Sequence, residues 1–207
     1  MSMDKLRTYY FGLYGENGIT QFFFDQLMEI MEKARAGRST ALRKQDKKGN
    51  DWYLSEKMVG MMLYLDKFSD NLSSFEKRID YLADLGVTYV HFMPLLQSRE
   101  GQNDGGYAVS DYLNVDKKFG TTEQFEHVVD RLKKKGIRTC IDFVLNHTAK
   151  EHEWALKSRK NEPGYEDMYY MFDNYGIPSE YEKTLTEIFP SVAPKNLPTT
   201  RISESLS

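Results

Sequence analysis

Three polar side chains follow an apolar stretch in the segment Asp142-Phe143-Val144-Leu145-Asn146-His147. Asp142, Asn146 and His147 place a carboxylate, a carboxamide and an imidazole close together, and these groups bind polar ligands through directional hydrogen bonds. In parallel α/β sheets, ligands bind beyond the carboxyl ends of the strands, so polar residues at such an end are site candidates. An isolated histidine at a strand end is also commonly a hydrogen-bonded structural residue, and His147 keeps both interpretations.

A second group of candidate residues lies in the loop around two adjacent glycines. Gly105 and Gly106 stand between Asp104 and Tyr107. Paired glycines let the backbone approach a ligand closely, and the flanking carboxylate and phenol can bind it. The same pattern is typical of a simple turn, so the segment alone leaves both interpretations open.

Three short segments are predicted as the strands that position these loops. They are the apolar run at residues 58–65, the segment 87–94 that stops at Pro94, and residues 137–141 directly before Asp142. The first run is apolar throughout, which is typical of a strand covered on both faces.

Two helices are predicted between the strands. Each has capping residues at its start and a glycine at its end: Ser73, Glu76 and Gly86 for the first, and Thr121, Gln124 and Gly136 for the second. The order strand, helix, strand, helix, strand predicts a parallel sheet with right-handed crossovers, and therefore an α/β fold.

The first part of the chain has a different pattern. An amphipathic helix is predicted at residues 21–36, followed by a polar and charged linker at residues 38–51. We therefore divide the chain into a helical N-terminal region and linker, the α/β part, a long insertion after the third strand, and a polar tail: residues 1–50, 51–147, 148–194 and 195–207.

Composition excludes several classes of protein. The chain has 207 residues, 40% of them hydrophobic, with a formal net charge of -3, as expected for a soluble globular protein. This charge predicts neither a nucleic-acid partner nor an anionic membrane partner, and no run is apolar enough to span a bilayer. The single cysteine, Cys140, is predicted to be buried and inert, and the N-terminus lacks a signal-peptide pattern, so we expect a cytoplasmic location.

The loop motifs together resemble the α-amylase superfamily, glycoside hydrolase family 13, and are closest to the amylosucrases. The resemblance extends over residues 11–195. It rests on eight motifs: Leu13-Tyr14-Gly15, Asp51-Trp52-Tyr53-Leu54-Ser55, His91-Phe92-Met93-Pro94-Leu95, Asp104-Gly105-Gly106-Tyr107-Ala108-Val109-Ser110, Phe119-Gly120-Thr121, Asp142-Phe143-Val144-Leu145-Asn146-His147, Glu151-His152-Glu153-Trp154-Ala155, and the segment from Tyr181 to Pro190.

The resemblance implies a (β/α)8 TIM barrel, of which this chain offers about the first three βα units after the helical region. It implies cleavage of sucrose and transfer of the glucosyl unit to an α-glucan or to water, with retention of configuration. Such a reaction uses one carboxyl group as nucleophile and another as acid/base.

The resemblance also implies roles for individual residues. His147 would hydrogen-bond the glucosyl ring, Tyr107 would stack under it, and Asp104 would form part of the pocket floor. Asp142 and Asn146 would support the site. An aromatic face suits the C–H face of a sugar, and carboxylate and imidazole groups bind its hydroxyls.

No metal and no cofactor are predicted. The position of Asn146 binds calcium in many α-amylases, but the six or more oxygen ligands that calcium needs cannot be assembled here. Glu151, His152 and Glu153 lack the spacing of a His-Glu-x-x-His zinc site, and loop or surface packing is favoured for them.

The chain departs from the family in having about three of eight barrel strands and a small polar tail at residues 195–207. We expect the nucleophile and the acid/base to lie beyond this segment, so the isolated chain is predicted to be a catalytically inactive fragment. Sucrose or an α-glucan is the expected ligand. The alternatives are a fragment of an α-amylase-type α-glucan hydrolase, a non-catalytic sugar-binding protein, and one half of a split enzyme whose partner chain supplies the rest of the barrel.

Overall fold

The computed structural model describes residues 3–47, 51–172 and 174–186. The fold divides between Met58 and Val59 into two compact units. Residues 51–58, which the sequence analysis groups with the α/β part, therefore lie in the first unit. Within the described ranges, no helix is long and apolar enough to cross a membrane.

The described part of the first unit is helical. It contains α1 (Met3–Tyr14), α2 (Gly18–Gly37), α3 (Thr40–Lys47) and a 3₁₀ turn (Asp51–Leu54). The helix predicted at residues 21–36 is confirmed as α2. It starts earlier than predicted because the Asn17 side chain accepts hydrogen bonds from the first turn, including one of 3.0 Å from the Thr20 amide. Phe24 is buried, and its ring centroid lies 5.1 Å from that of Tyr10.

The linker predicted at residues 38–51 is wrong for most of its length, because α3 lies within it. Its polar residues include good helix formers, and Ser39 caps the helix by accepting a hydrogen bond of 3.3 Å from the Leu42 amide. A polar composition indicated an exposed segment here but did not distinguish a surface helix from a loop.

The second unit alternates strands and helices. Its described elements are β1 (Gly60–Leu63), α4 (Leu65–Phe68), α5 (Leu72–Glu76), α6 (Ile79–Asp84), β2 (Tyr89–Phe92), β3 (Leu96–Ser98), β4 (Val109–Val115), α7 (Thr122–Lys134), β5 (Arg138–Ile141), α8 (Glu153–Arg159) and α9 (Gly176–Glu182). A 3₁₀ turn (Asp104–Gly106) separates β3 from β4.

Three strands form a parallel sheet in the order β1-β2-β5. The predicted strand, helix and strand order and the parallel pairing are thus confirmed, and the partial barrel is consistent with them. Each strand is shorter than predicted. In particular, the apolar run at residues 58–65 ends as a strand at Leu63, and Leu65 begins α4.

The cap predicted for the first crossover helix is wrong. Asn71, rather than Ser73, caps α5, and its side chain accepts a hydrogen bond of 3.0 Å from the Ser74 amide. The predicted single helix is divided into α5 and α6. Glu76 bonds to Arg131 of α7 at 2.9 Å instead of to the helix start.

The second crossover helix matches its prediction closely. Thr121 and Gln124 form the capping box of α7, and the side chains of Val128 and Leu132 are buried against the sheet. Gly136 ends the turn after α7 with φ of 77°, a conformation in which most residues are strained.

The core lies between the sheet and the crossover helices. On β2, Val90 and Phe92 are fully buried, while Tyr89 and His91 point to the opposite face and are half-buried. The Phe92 ring centroid lies 4.8 Å from that of Phe75 and 5.9 Å from that of Phe125. Alternation along β2 therefore gives the sheet an apolar helix side and a more polar opposite side.

Cys140 lies on this more polar side, because the register pairs it with His91. It is half-buried rather than fully buried, so the predicted burial of Cys140 is wrong. The physical reason is the short strand: all four residues of β5 are of intermediate exposure.

An antiparallel hairpin replaces the long loop predicted between the second strand and the second helix. β3 pairs with β4, with register irregularities between Leu96 and Ser98. Val109 and Val115 anchor β4 in the core, but Leu113 between them is 86% exposed. This irregular burial obscures the strand in the sequence.

The segment after β5 contains α8 and α9, both within the insertion predicted at residues 148–194. Its last residues, the end of the motif that begins at Tyr181, and the polar tail at residues 195–207 lie outside the described residues.

Candidate functional site

Asp142 is the centre of a hydrogen-bonded cluster at the carboxyl edge of the parallel sheet. It directly follows β5, and its Oδ1 lies 2.8 Å from His91 Nε2 of the neighbouring strand β2. Its Oδ2 accepts a hydrogen bond of 2.9 Å from the Tyr107 hydroxyl. The Asp142 and His91 side chains are 22% and 25% exposed, so they are accessible from one side.

The surroundings of Tyr107 keep its hydroxyl protonated. Burial, the hydrogen bond to Asp142 and the negative charges of Asp142 and Asp104 raise the pKa of Tyr107 to about 12. The phenol is therefore a stable donor at neutral pH, and its ring has a fixed orientation.

The turn that holds Asp104 and Tyr107 has an unusual backbone. Asp104, Gly105 and Gly106 have consecutive positive φ angles of 54°, 65° and 99°. A Cβ on Gly106 would lie 3.0 Å from Pro94 Cβ, so this position also has no room for a side chain. The paired glycines are thus required by conformation and close packing, and they place the exposed Asp104 beside Tyr107.

His147 and Asn146 lie in the loop after β5. The Tyr112 hydroxyl lies 2.7 Å from the Val144 carbonyl oxygen and 3.0 Å from that of His147, so it anchors the loop backbone. The His147 side chain is exposed, and its Nδ1 lies 3.4 Å from Asn146 Nδ2. The structure therefore brings Asp142 and Tyr107 into direct contact and Asp104 close to them, whereas the described side-chain contact of His147 is with Asn146 of its own loop.

Aromatic rings pack against one another at this loop. The Tyr112 ring centroid lies 5.2 Å from that of Phe143 and 5.5 Å from that of His152. His152 is buried, and burial lowers the pKa of its imidazole despite the opposing charge of Asp111.

The acidic and histidine residues around His152 take part in packing and ion pairs. His152 Nδ1 accepts a hydrogen bond of 3.1 Å from the Trp154 amide at the start of α8. Glu151 pairs with Arg99 at 3.1 Å, and Glu153 pairs with Lys157 at 2.5 Å. Within the described ranges, no group of three histidine, cysteine or acidic side chains is placed to hold a metal ion.

Sequence reasoning quoted His91 only as part of a motif and gave it no role. Its signal was present, because a polar residue stands between Val90 and Phe92 in an apolar strand. Since neighbouring strand residues face opposite sides, His91 had to lie on the face opposite the core, and the structure shows that it contacts Asp142 there.

A parallel sheet with βα crossovers and a polar cluster at its carboxyl edge is typical of an α/β barrel enzyme domain. Residues 66–196 match the family described as "Alpha amylase, catalytic domain". This chain belongs to the alpha-amylase family of carbohydrate-active enzymes.

Similar proteins of this family have several different activities. Maltase 1 of Drosophila virilis is 34% identical over 65% of this chain and 22% of its own length. An oligo-1,6-glucosidase of Heyndrickxia coagulans is 34% identical over 59% of this chain and 23% of its own.

Solved structures that are similar to this chain also come from different enzymes. A variant of MutB in complex with the substrate sucrose has a TM-score of 0.51 and 34% identity, over 59% of this chain and 23% of that one. A trehalose-6-phosphate hydrolase variant of Bacillus licheniformis has a TM-score of 0.51 and 30% identity, over 58% and 22%. The chain thus spans less than a quarter of the length of these relatives.

Proposed function

We propose that the carboxyl edge of the sheet forms part of a pocket for the glucosyl unit of an α-glucoside. The observation that supports this most directly is the Asp142 cluster, which fixes the Tyr107 ring beside the Asp104 carboxylate. An oriented aromatic ring packs against the C–H face of a sugar, and a neighbouring carboxylate accepts hydrogen bonds from its hydroxyls. In this proposal His147 also bonds the sugar, and Asn146 supports its loop.

The cluster also limits the role of Asp142. Its two oxygens contact His91 and Tyr107, so in this proposal Asp142 orients the pocket and is not assigned the role of nucleophile. We therefore propose that the 207-residue chain binds a glucoside without cleaving it. The nucleophile and acid/base of a retaining reaction would come from a further part of the barrel, in the same or a partner chain.

Sucrose is the donor that we propose for the complete enzyme, with transfer of its glucosyl unit in the manner of the amylosucrases. Support comes from the amylosucrase-like motifs, including His91-Phe92-Met93-Pro94-Leu95, and from the similarity to MutB, whose variant was solved with sucrose. Hydrolysis of maltose-type or α-1,6-linked glucosides is the second candidate, supported by the maltase and oligo-1,6-glucosidase relatives. A cytoplasmic location stays a prediction from the sequence.

Ligand binding by the 207-residue chain tests the pocket. We would titrate it with methyl α-D-glucoside, sucrose and maltose and follow chemical-shift changes by NMR, with methyl α-D-galactoside as the matched epimer. Binding of the three glucosides, weakened in Tyr107→Ala and absent for the galactoside, supports the proposal. Equal shifts for the galactoside, or full affinity in Tyr107→Ala, contradict it.

A second assay separates binding from turnover. Release of glucose or fructose from sucrose is measured over hours with the same preparation, because a slow reaction would otherwise escape detection. We expect no release. A reaction proportional to chain concentration and abolished in Asp142→Asn would show that Asp142 has a chemical role.

A further inference from the structure

Asn103 is a residue to which the resemblance to the family assigns no role. It precedes the turn Asp104–Gly106, and its side chain is half-buried. Asn103 Nδ2 donates hydrogen bonds of 3.2 Å to Ser98 Oγ and to the Arg99 carbonyl oxygen. Asn103 Oδ1 accepts one of 3.2 Å from the Gly106 amide.

The backbone of Asn103 holds the same turn from a second direction. Its carbonyl oxygen accepts hydrogen bonds of 3.0 Å from the Gly106 amide and 3.1 Å from the Ala108 amide. These two amides flank Tyr107 on both sides. Asn103 therefore fixes the chain before and after the aromatic residue of the candidate site.

This arrangement is anchored in the interior of the hairpin. Ser98, which accepts from Asn103, is 3% exposed and donates a hydrogen bond of 2.9 Å to Asp116, which is 6% exposed. A buried carboxylate needs such donors, so the Ser98 hydroxyl has a fixed orientation. Both residues of this anchor are therefore buried and hydrogen-bonded to each other.

The turn needs such an anchor because its conformation is unfavourable by itself. Left-handed φ angles at three successive residues, one of them the non-glycine Asp104, persist only where surrounding contacts impose them. The side-chain amide of Asn103 is the polar group that joins this turn to the buried Ser98 and Asp116.

We propose that Asn103 is a positioning residue for the glucosyl pocket, and that it holds Tyr107 in place against Asp142. This inference rests on the proposed function for its ligand, but the placement of Tyr107 can be tested without any sugar. Asn103 does not touch the ligand in this proposal. It acts through the turn.

The test uses the ionisation of Tyr107, which a general loss of stability would not change selectively. In the 207-residue chain with labelled tyrosine, the Tyr107 signal is identified by its absence in Tyr107→Phe. With a pKa of about 12, Tyr107 is about one-tenth ionised at pH 11. In Asn103→Ala we expect Tyr107 to leave Asp142 and to be mostly ionised at this pH.

The matched control is Asn114→Ala, because Asn114 lies in the same hairpin and its exposed amide bonds to Asp111 at 2.7 Å. We expect this variant to leave Tyr107 about one-tenth ionised at pH 11, as in the unaltered chain. Circular dichroism at that pH verifies that each variant is folded. If Asn103→Ala does not fold, Ser98→Ala removes the anchor from the other end and should also increase Tyr107 ionisation.

Sugar binding forms the second part of the test. We expect Asn103→Ala to bind methyl α-D-glucoside about tenfold more weakly, because the ring must be ordered on binding. An un-ionised Tyr107 in the folded variant, or unchanged affinity with Tyr107 displaced, overturns the proposal. If the unaltered chain binds no glucoside at all, the proposed function fails, while the result on Tyr107 still decides whether Asn103 positions it.

Discussion

The hydroxyl of Tyr112 lies 3.0 Å from the carbonyl oxygen of His147, a residue of the loop that follows β5. Tyr112 belongs to the antiparallel hairpin, whereas His147 follows the parallel sheet. The Tyr112 side chain thus connects the two parts of the second unit at the candidate site, as the Tyr107 side chain also does. The hairpin is therefore part of the support of the site.

The Tyr112 contact predicts the effect of Tyr112→Phe. Loss of the hydroxyl removes the one proton that the Val144 and His147 carbonyl oxygens share, at a total cost of about 1 kcal/mol. We expect faster amide hydrogen exchange in residues 144–147 and weaker glucoside binding. Tyr170→Phe is the control, since Tyr170 is 95% exposed. Unchanged exchange in Tyr112→Phe would refute the anchoring role.

Asp142→Asn tests the electrostatic coupling in the cluster. Removal of the charge should lower the pKa of Tyr107 from about 12 toward its ordinary value of 10.0. Asp104→Asn should lower it less, because the Asp104 charge is the weakest of the causes that raise this pKa. The two pKa values are measured by NMR titration of labelled tyrosine. An equal decrease in both variants would show that the hydrogen bond to Asp142 is unimportant.

The lowered pKa of Glu76 predicts that the stability of the fold depends on pH. Its hydrogen bond to Arg131 is the main cause that lowers its pKa below 4.5, with smaller contributions from His127. A carboxyl whose pKa is lower in the folded state stabilises the fold above its unfolded pKa, and this contribution is lost as pH falls through the folded value. Thermal unfolding of the chain and of Glu76→Gln should therefore differ at pH 6 and converge in acid.

The expected difference for Glu76→Gln is small, since the ion pair with Arg131 is accessible to water on one side. Glu29→Gln is a suitable control because Glu29 is exposed and pairs with Lys33 on the same helix surface. A difference that persists unchanged at low pH would assign the effect to packing and not to charge.

The substitution Phe92→Ala tests the packing on the apolar side of the sheet. Its ring is fully buried between the rings of Phe75 and Phe125, so Phe92→Ala should lower the free energy of unfolding by about 3–5 kcal/mol. Leu113→Ala, at an 86% exposed position of β4, should change it by less than about 0.5 kcal/mol. Chemical denaturation measures both. Similar values would indicate that β2 is not part of the core.

The order of strands and helices along the chain and the parallel direction of the strands could be predicted, because local signals agree with the tertiary fold. Thr121 with Gln124 starts a helix, and Gly136 ends the turn before β5, whatever surrounds them. The start of α5 was harder to predict, because Asn71 and Ser73 are both acceptable caps and the choice between them depends on packing elsewhere.

The residues of the candidate site could be predicted from the sequence, but the contacts between them could not. Asp142 and Tyr107 were candidates from their residue types and positions, and the resemblance added roles for them, but their hydrogen bond joins residues 35 positions apart and depends on the hairpin. That hairpin was missed because Leu113 is exposed between buried valines, which disrupts the strand pattern. His91 was assigned no role, although the strand that contains it was predicted and alternation in β2 places His91 on the face opposite the core.

Strand β2 belongs to the core and to the site at the same time. Phe92 is packed among the helices, and the preceding residue, His91, faces Asp142 from the other side of the same four-residue strand. A shift of the strand by one residue would exchange these two side chains and damage both environments. The pocket and the core should consequently unfold as one cooperative unit, so a ligand that binds the pocket would protect the interior of the domain against protease.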